Sequence, residues 1–429
     1  MPKKIRTFTR YQVFMIVVLT LLQFSIVLDF IVISPLGAQL LKEMHLSTAD
    51  FGLVVSVYAF SAGISGILTA GFADRFDRKK LLVFFYTGFI AGTLLCGIAD
   101  NYRFLLVARI ITGLFGGVIG SVSFAIITDL FRMELRGRVM GFVQMAFSTS
   151  QVLGIPVGLY LASRFDWHAP FLMIFGASIL SCIVIMVKMK PINGHLGLQS
   201  DRSAFLHLFK TVSQANYFGA FSVNMLLATG GYMLMPFGSA FAVNNLGLSL
   251  DQLPVLYMVT GIISMMGGPL IGKLSDTAGK FRIFLIGSVV TIFMLLIYCN
   301  LHITPLWIVI AINTILTIGV LARMISSSAL MTAIPEKSDR GAFMSVNASV
   351  QQVSGGIAAV IAGSIVSQTS SGELVHYNTL GYVVIVAVVI TVVTMYFINR
   401  ILIQKNRIPN EPAMVMEVID IGHQDKETA

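Results

Sequence analysis

Charge is what this chain has least of. Of its 429 residues only 11% are Asp, Glu, Lys or Arg, against 56% hydrophobic, and the mean hydropathy is +0.85. No ordinary soluble domain has that balance. Cysteine is almost as scarce, and Cys96, Cys182 and Cys299 all fall in apolar runs, which leaves no disulfide framework and no thiolate cluster. The seven histidines are scattered without metal-ligand spacing, so no metal or other cofactor is expected. No polar stretch is long enough for an independent soluble domain, which argues against an enzyme or a sensor.

What the sequence does have is long apolar runs, each of the length that crosses a bilayer as a helix. They lie at roughly 11–36, 49–71, 81–99, 103–128, 139–163 and 167–188, then at 214–243, 252–272, 282–301, 304–331, 341–366 and 378–403. The expected fold class is an all-α membrane protein with twelve transmembrane helices. Residues 1–188 and 214–403 form its two six-helix units, separated by a polar, basic linker at 189–213 with Pro191, Asn193, Gly194 and Gly197. The polar tail at 404–429 is expected to be disordered. The N-terminus is basic and then apolar like a signal sequence, yet its run is long enough for a full span and is expected to be retained.

The net charge of +9 does not point to nucleic acid, because of where it sits. If successive helices alternate in direction, 24 of the 29 Lys and Arg fall on one side. Only Lys42, Arg103 and Arg164 lie in loops on the other, with Arg109 and Arg323 inside spans. The positive-inside rule then places both termini in the cytoplasm of a multi-pass cell-membrane protein, most simply in a bacterial inner membrane.

The two units repeat. AGFADRFDRKKLL at 70–82 has a counterpart in GKLSDTAGKFR at 272–282, and Asp74 matches Asp276 while Arg136-Gly137 matches Arg340-Gly341. Both stretches are short charged connections between apolar runs, and they resemble the loop signature Gly-x-Leu-Ala-Asp-Arg-x-Gly-Arg-Lys of the major facilitator superfamily. The second copy keeps glycines at Gly272 and Gly279, whereas the first has Ala70 and Asp77 there, so its turn must form without the usual left-handed residue. The resemblance implies two pseudo-symmetric bundles with a solute site between them near mid-membrane. It also implies a cytoplasmic gate, in which Asp74, Arg78 and Asp129 latch the halves when the cavity opens outward. Asp276 and Lys280 take the mirrored part against the fifth helix, beside Arg340. Arg75, Lys79 and Lys80 are more simply topology charges.

A charge inside a membrane costs about 2.5–3.5 kcal/mol on insertion scales, so each is a functional candidate. Asp29 and Arg109 both sit roughly 10 Å below the outer surface at 1.5 Å per residue, close enough in depth to pair between helices one and four. Arg109 heads RIITGLFGG, which resembles the family pattern Arg-x-x-Gln-Gly with Thr112 in place of the glutamine. In family antiporters these helices carry groups linked to proton transfer, so Asp29 is the expected proton carrier. The competing reading is a static pair that sets helix register. Arg323, deep in the tenth helix, has three candidate partners: solute, an acid of another helix, or backbone carbonyls.

Gln144, Ser148 and Gln151 share a face of the fifth helix. That helix continues into Gly154, Pro156 and Gly158, which resemble part of the antiporter signature Gly-x-x-x-Gly-Pro-x-x-Gly-Gly, with Ile155 and Leu159 replacing two glycines. Asn347, Gln351, Gln352 and Ser354 line the eleventh helix, and Tyr58, Tyr232 and Tyr257 are aromatic candidates for the same cavity. The close glycines of the fourth helix, Gly113, Gly116, Gly117 and Gly120, are explained by helix packing. The subgroup resembled is the drug:proton antiporter-like permeases, sugar exporters included. The expected function is proton-coupled efflux of a drug or sugar by a monomer whose partners are the small solute, protons and the lipid bilayer. A facilitator or importer, or a lipid or lysolipid flippase, remains the alternative on the same fold.

Overall fold

The computed structural model describes residues 8–70, 75–194, 196, 215–331, 334, 335 and 340–404. The tail beyond 404 and all but residues 189–194 and 196 of the linker lie outside them. Among the described residues twelve helices are long and apolar enough to cross a membrane, numbered here spans 1 to 12: Arg10–Val32, Thr48–Thr69, Arg78–Cys96, Tyr102–Leu130, Arg138–Arg164, Ala169–Lys188, Tyr217–Asn244, Leu250–Ala278, Lys280–Tyr298, Leu306–Met331, Val346–Ile365 and Tyr377–Gln404. Helix is the form in which each segment satisfies its own backbone polar groups without water. An even number of crossings brings Arg10 and Gln404 to the same end of the molecule, the termini end; the other is the far end.

Local chemistry sets where the helices start. Thr9 and Gln12 form a reciprocal capping box at the head of span 1, and the Asn101 side chain accepts from the Phe104 amide at 3.0 Å to open span 4. The two charged connections solve their turn differently. Gly279, between spans 8 and 9, has φ +102°, open to glycine alone without strain. Asp77, at the corresponding place, has φ −57° and instead caps span 3 by accepting from the Lys80 amide at 3.0 Å.

Two expected spans are broken where the sequence reading had them continuous. Span 1 stops at Val32, and a separate short helix, Gly37–Glu43, follows Pro35. Span 7 tightens into a 3₁₀ turn at Met235–Phe237 around Pro236 before the short helix Gly238–Asn244. Proline has no amide to continue the ladder, so each break falls beside one. The breaks are repeats of each other, since Pro35-Leu36-Gly37 recurs as Pro236-Phe237-Gly238. A two-residue hairpin, Ser367–Gln368 with Leu374–Val375, is a further feature that an all-helical expectation lacks. Asn245 pairs with both backbone groups of Leu374, each at 2.9 Å.

The packing divides by depth. At the far end one continuous apolar core draws on both halves, from Leu28, Leu36 and Phe51 to Phe237, Leu256, Ala359 and Tyr377. At the termini end there are two cores. One, with Met15, Phe85, Val122 and Ile185, belongs to spans of the first half, and the other, with Phe221, Phe284, Phe343 and Met395, to spans of the second. Hydrogen bonds that join the halves also sit at the far end. Ser239 Oγ donates to the Ser34 carbonyl at 2.9 Å, and Thr48 Oγ1 donates to the Val366 carbonyl at 2.5 Å. The core common to both halves thus lies at the far end, while toward the termini end the halves keep separate cores and touch where Gly63 and Gly66 of span 2 lie against Val353 and Ser349 of span 11.

The seal depends on backbone contact between spans 2 and 11. A side-chain carbon at Gly52 would stand 2.6 Å from the Ala359 carbonyl oxygen, inside any real contact. Gly52→Val is therefore expected to open the far end. In the Ser34→Cys background it should speed labelling of the buried thiol by an impermeant maleimide applied from the far side; an unchanged rate would show that the seal does not rest on this contact.

Candidate functional site

Spans 1, 3 and 4 bring a carboxylate, a hydroxyl and a guanidinium together beneath the far-end seal. Arg109 Nη1 lies 3.0 Å from Asp29 Oδ2 and also donates to the Asp29 carbonyl oxygen at 3.2 Å. Thr93 Oγ1 donates to the other carboxylate oxygen at 3.2 Å. Both charged side chains are fully buried. The ion pair expected between the first and fourth helices is therefore present, though Asp29 lies only three residues before the regular helix of span 1 ends. A charge pair this dry holds only because each member meets the other and most polar atoms are satisfied. Arg109 Nε and Nη2 nevertheless have no acceptor.

An aromatic path runs from the pair to the second half. The guanidinium carbon of Arg109 stands 4.4 Å from the Tyr58 ring centroid, a cation–π contact. Tyr58 packs against Phe30 at 5.1 Å, and Phe30 against Tyr232 of span 7 at 5.7 Å. Tyr232 Oη then donates to Gln352 Oε1 of span 11 at 2.7 Å. Asp29 and Phe30 are adjacent, so a shift of span 1 at the ion pair also displaces the ring that touches the second half. Thr93 was not singled out from sequence, since an isolated Thr in an apolar run carries no signal of its own, and Phe30 stands out only as part of the Asp-Phe-x-x-x-x-Pro run from Asp29 to Pro35, which resembles the efflux permeases.

The polar stripes divide. Gln352 joins the path, whereas Gln144 is exposed and Ser148, Gln151 and Gln351 are half-buried. The Asn347 carbonyl accepts from Asn224 Nδ2 at 2.8 Å, and Asn347 Oδ1 is buried without a donor. Tyr257 packs onto the far-end core. Arg323 is buried, 5.9 Å from the Phe284 ring centroid, with Nε unpartnered; among the described residues neither an acid nor a backbone carbonyl meets it. Span 5 is not a continuous α-helix. Ser150–Gly154 form a π turn ahead of Pro156, the shift of ladder that a missing amide invites. Gly154 there lies against Leu28, next to Asp29, and Gly158 against Val32. The glycine–proline run thus seats span 5 on the segment of span 1 that carries the acid.

At the termini end Arg78 Nε pairs with Asp129 Oδ2 at 3.0 Å, within the first half. Asp77 is occupied as a helix cap and does not compete for that cation. Lys79 Nζ donates to the carbonyls of Met186 and Met189 at 2.9 and 2.6 Å, fastening span 3 to span 6. Arg136 closes the end of span 4 through the Thr128 and Phe131 carbonyls at 2.6 and 3.0 Å. Asp276 is exposed and Lys280 half-buried, and neither belongs to an ion pair among the described residues. Asp74 and the Arg340 side chain lie outside the described residues.

Residues 19–359, and in an overlapping match 220–415, fit the Major Facilitator Superfamily. The chain belongs to that superfamily. Over 266 residues, 62% of this chain and 67% of the relative, it is 26% identical to the uncharacterized MFS-type transporter YceJ of Bacillus subtilis (strain 168). Its fold is similar to a bacterial homolog of the human lysosomal transporter Spinster in an inward-facing, occupied conformation, with a TM-score of 0.75 and 16% identity over 92% of this chain and 98% of that one. A D-xylose–proton symporter matches with a TM-score of 0.70 and 17% identity over 88% and 97% of the two chains. As a member, this chain is a multi-pass membrane transporter that moves a solute, and not an enzyme.

If the ion pair is the chief polar contact of spans 1 and 4, its members are strongly coupled. Arg109→Met is expected to lower stability by about 3–5 kcal/mol, the usual consequence of leaving a buried charge alone. Adding Asp29→Leu should recover much of that loss in equilibrium unfolding, whereas additive losses would mean that the two groups do not depend on each other.

Proposed function

We infer that the protein exports a small organic solute in exchange for protons, with the termini end in the cytoplasm. The observation that carries this reading is the dry Asp29–Arg109 pair, held inside the membrane where a proton can replace the cation as partner of the carboxylate. The asymmetry of Lys and Arg favours a cytoplasmic termini end, so on this reading the far-end core common to both halves lies on the outer side.

The cycle follows from electrostatics. With Asp29 ionised and paired, the halves close at the far end and solute enters from the cytoplasm. Movement of span 1 as the far end opens separates the pair, and an isolated buried carboxylate takes up a proton from outside. Neutral Asp29 then allows return without an unpaired negative charge in the bilayer, and the proton leaves on the cytoplasmic side as Arg109 is re-engaged. Phe30 transmits the shift to Tyr232 and the second half. At the opposite end, closure brings the Asp74, Arg78 and Asp129 group against the second half, and Asp276 with Lys280 against span 5, beside Arg340. In the conformation described, Arg78 pairs with Asp129 inside the first half. Gln144, Ser148, Gln151, Asn347, Gln351 and Gln352 serve as cavity contacts.

Everted vesicles with an imposed pH gradient provide the test. Proton-driven solute accumulation is expected in the unaltered protein and is expected to be lost in Asp29→Asn, with equilibrium solute binding largely kept. Accumulation indifferent to pH would instead make the protein a facilitator, and unchanged coupling in Asp29→Asn would remove that residue from the mechanism.

A further inference from the structure

Among the described residues the buried charged side chains are Asp29, Arg78, Arg109 and Arg323. Three of them have opposite charges beside them, Arg78 with Asp129 and Arg109 with Asp29. Arg323 has none. It is 4% exposed, and its Nε is buried with no acceptor. Among the described residues the second half offers no remedy, Glu336 and Asp339 lying outside them. Span 7, the counterpart of the span that carries Asp29, contains no acid, and Asp251, Asp276 and Glu373 are all exposed.

A second orphan lies one helical turn away. Ser327 is 2% exposed and its Oγ also has no partner, whereas the neighbouring Ser326 is engaged with Ser275 at 3.1 Å. Residues four apart on a helix share a face, so Arg323 and Ser327 present two unmet donors on one side of span 10. Arg323 stands eight residues, about 12 Å of helix, from the end of span 10 at the termini end. A planar guanidinium next to a hydroxyl is a donor set that suits a carboxylate, sulfonate or phosphate oxygen.

We propose that the missing counter-charge is the cargo, and that Arg323 and Ser327 bind the anionic group of an organic anion. This rests on the reading of the protein as a transporter of small solutes, but not on proton coupling. It explains why a cation is kept where apolar packing would be more stable: without cargo the charge is uncompensated, and with cargo it is neutralised inside a low-dielectric bundle. It also narrows the solute class, since sugars without an acidic group and cationic drugs leave Arg323 unmatched.

The test uses the full chain in lipid nanodiscs and reads its thermal unfolding midpoint against matched probes: benzoate with benzamide, naphthalene sulfonate with its sulfonamide, and glucose 6-phosphate with glucose. At least one anion is expected to raise the midpoint while its neutral partner does not. Arg323→Gln should weaken that anion at least tenfold, a loss of at least about 1.4 kcal/mol. Arg323→Lys, which keeps the charge but not the planar fork, should fall between. Without any probe, Arg323→Met should unfold at a higher temperature than the unaltered protein, because it deletes a buried charge that nothing meets. Neutral probes binding as tightly as the anions, no anion in the panel raising the midpoint, affinity unaffected by Arg323→Gln, or a lower midpoint in Arg323→Met would each overturn the proposal. Loss of pH-driven transport in vesicles with anion binding intact would count against proton coupling alone.

Discussion

A charge within a bilayer must find its opposite, and the architecture of this transporter is arranged around that demand. Asp29 and Arg109 meet each other 3.0 Å apart with no exposure to solvent, and their pairing fixes how span 1 sits against span 4 and, through Thr93, against span 3. Because the pair is dry, either member alone is far less favourable than both together. A movement that separates them therefore has to be accompanied by a change in protonation or by a new partner. In the proposed exchange, that requirement is what would tie a rigid-body motion of two bundles to the movement of a proton.

The second dependency is on close backbone approach. Spans 2 and 11 meet at Gly52, and spans 5 and 8 meet where Gly261 lies against the π turn at Val152. Such contacts give rigid surfaces that fit in one arrangement and part in another, with few side chains to repack. The far end is further closed by the paired proline breaks of spans 1 and 7, whose short helices face each other: a carbon added at Gly37 would stand 2.9 Å from the Pro236 carbonyl oxygen. The far-end core is common to both halves while the termini-end cores are separate, which is the pattern expected if one end closes as the other opens.

The fold was legible because hydropathy, the asymmetry of basic residues and the repeat at Asp74 and Asp276 are signals that single residues carry strongly in a membrane protein. The Asp29–Arg109 pair was legible for the same reason, since an isolated charge in an apolar run stands out. The breaks at Pro35 and Pro236 were not anticipated, although their repetition in Pro-x-Gly was present in the letters; a run judged by length alone absorbs them. Thr93 and the contact of Phe30 with Tyr232 were illegible because a hydroxyl or ring in a span ordinarily satisfies itself or packs, and only three-dimensional proximity gives either a role. Arg323 showed the reverse limit: its importance was evident, but that no acid meets it among the described residues required coordinates.

The central claim, that one buried acid governs a reciprocal opening of the two ends, is tested most directly by spin-label distances in nanodiscs. Labels at Phe165→Cys with Ile303→Cys report the far end, and labels at Phe142→Cys with Leu274→Cys report the termini end, all four native side chains being exposed. The account predicts that a change of pH shifts the two distances in opposite directions, and that Asp29→Asn makes both insensitive to pH. Distances that lengthen or shorten together, or that respond to pH equally in the variant, would contradict it.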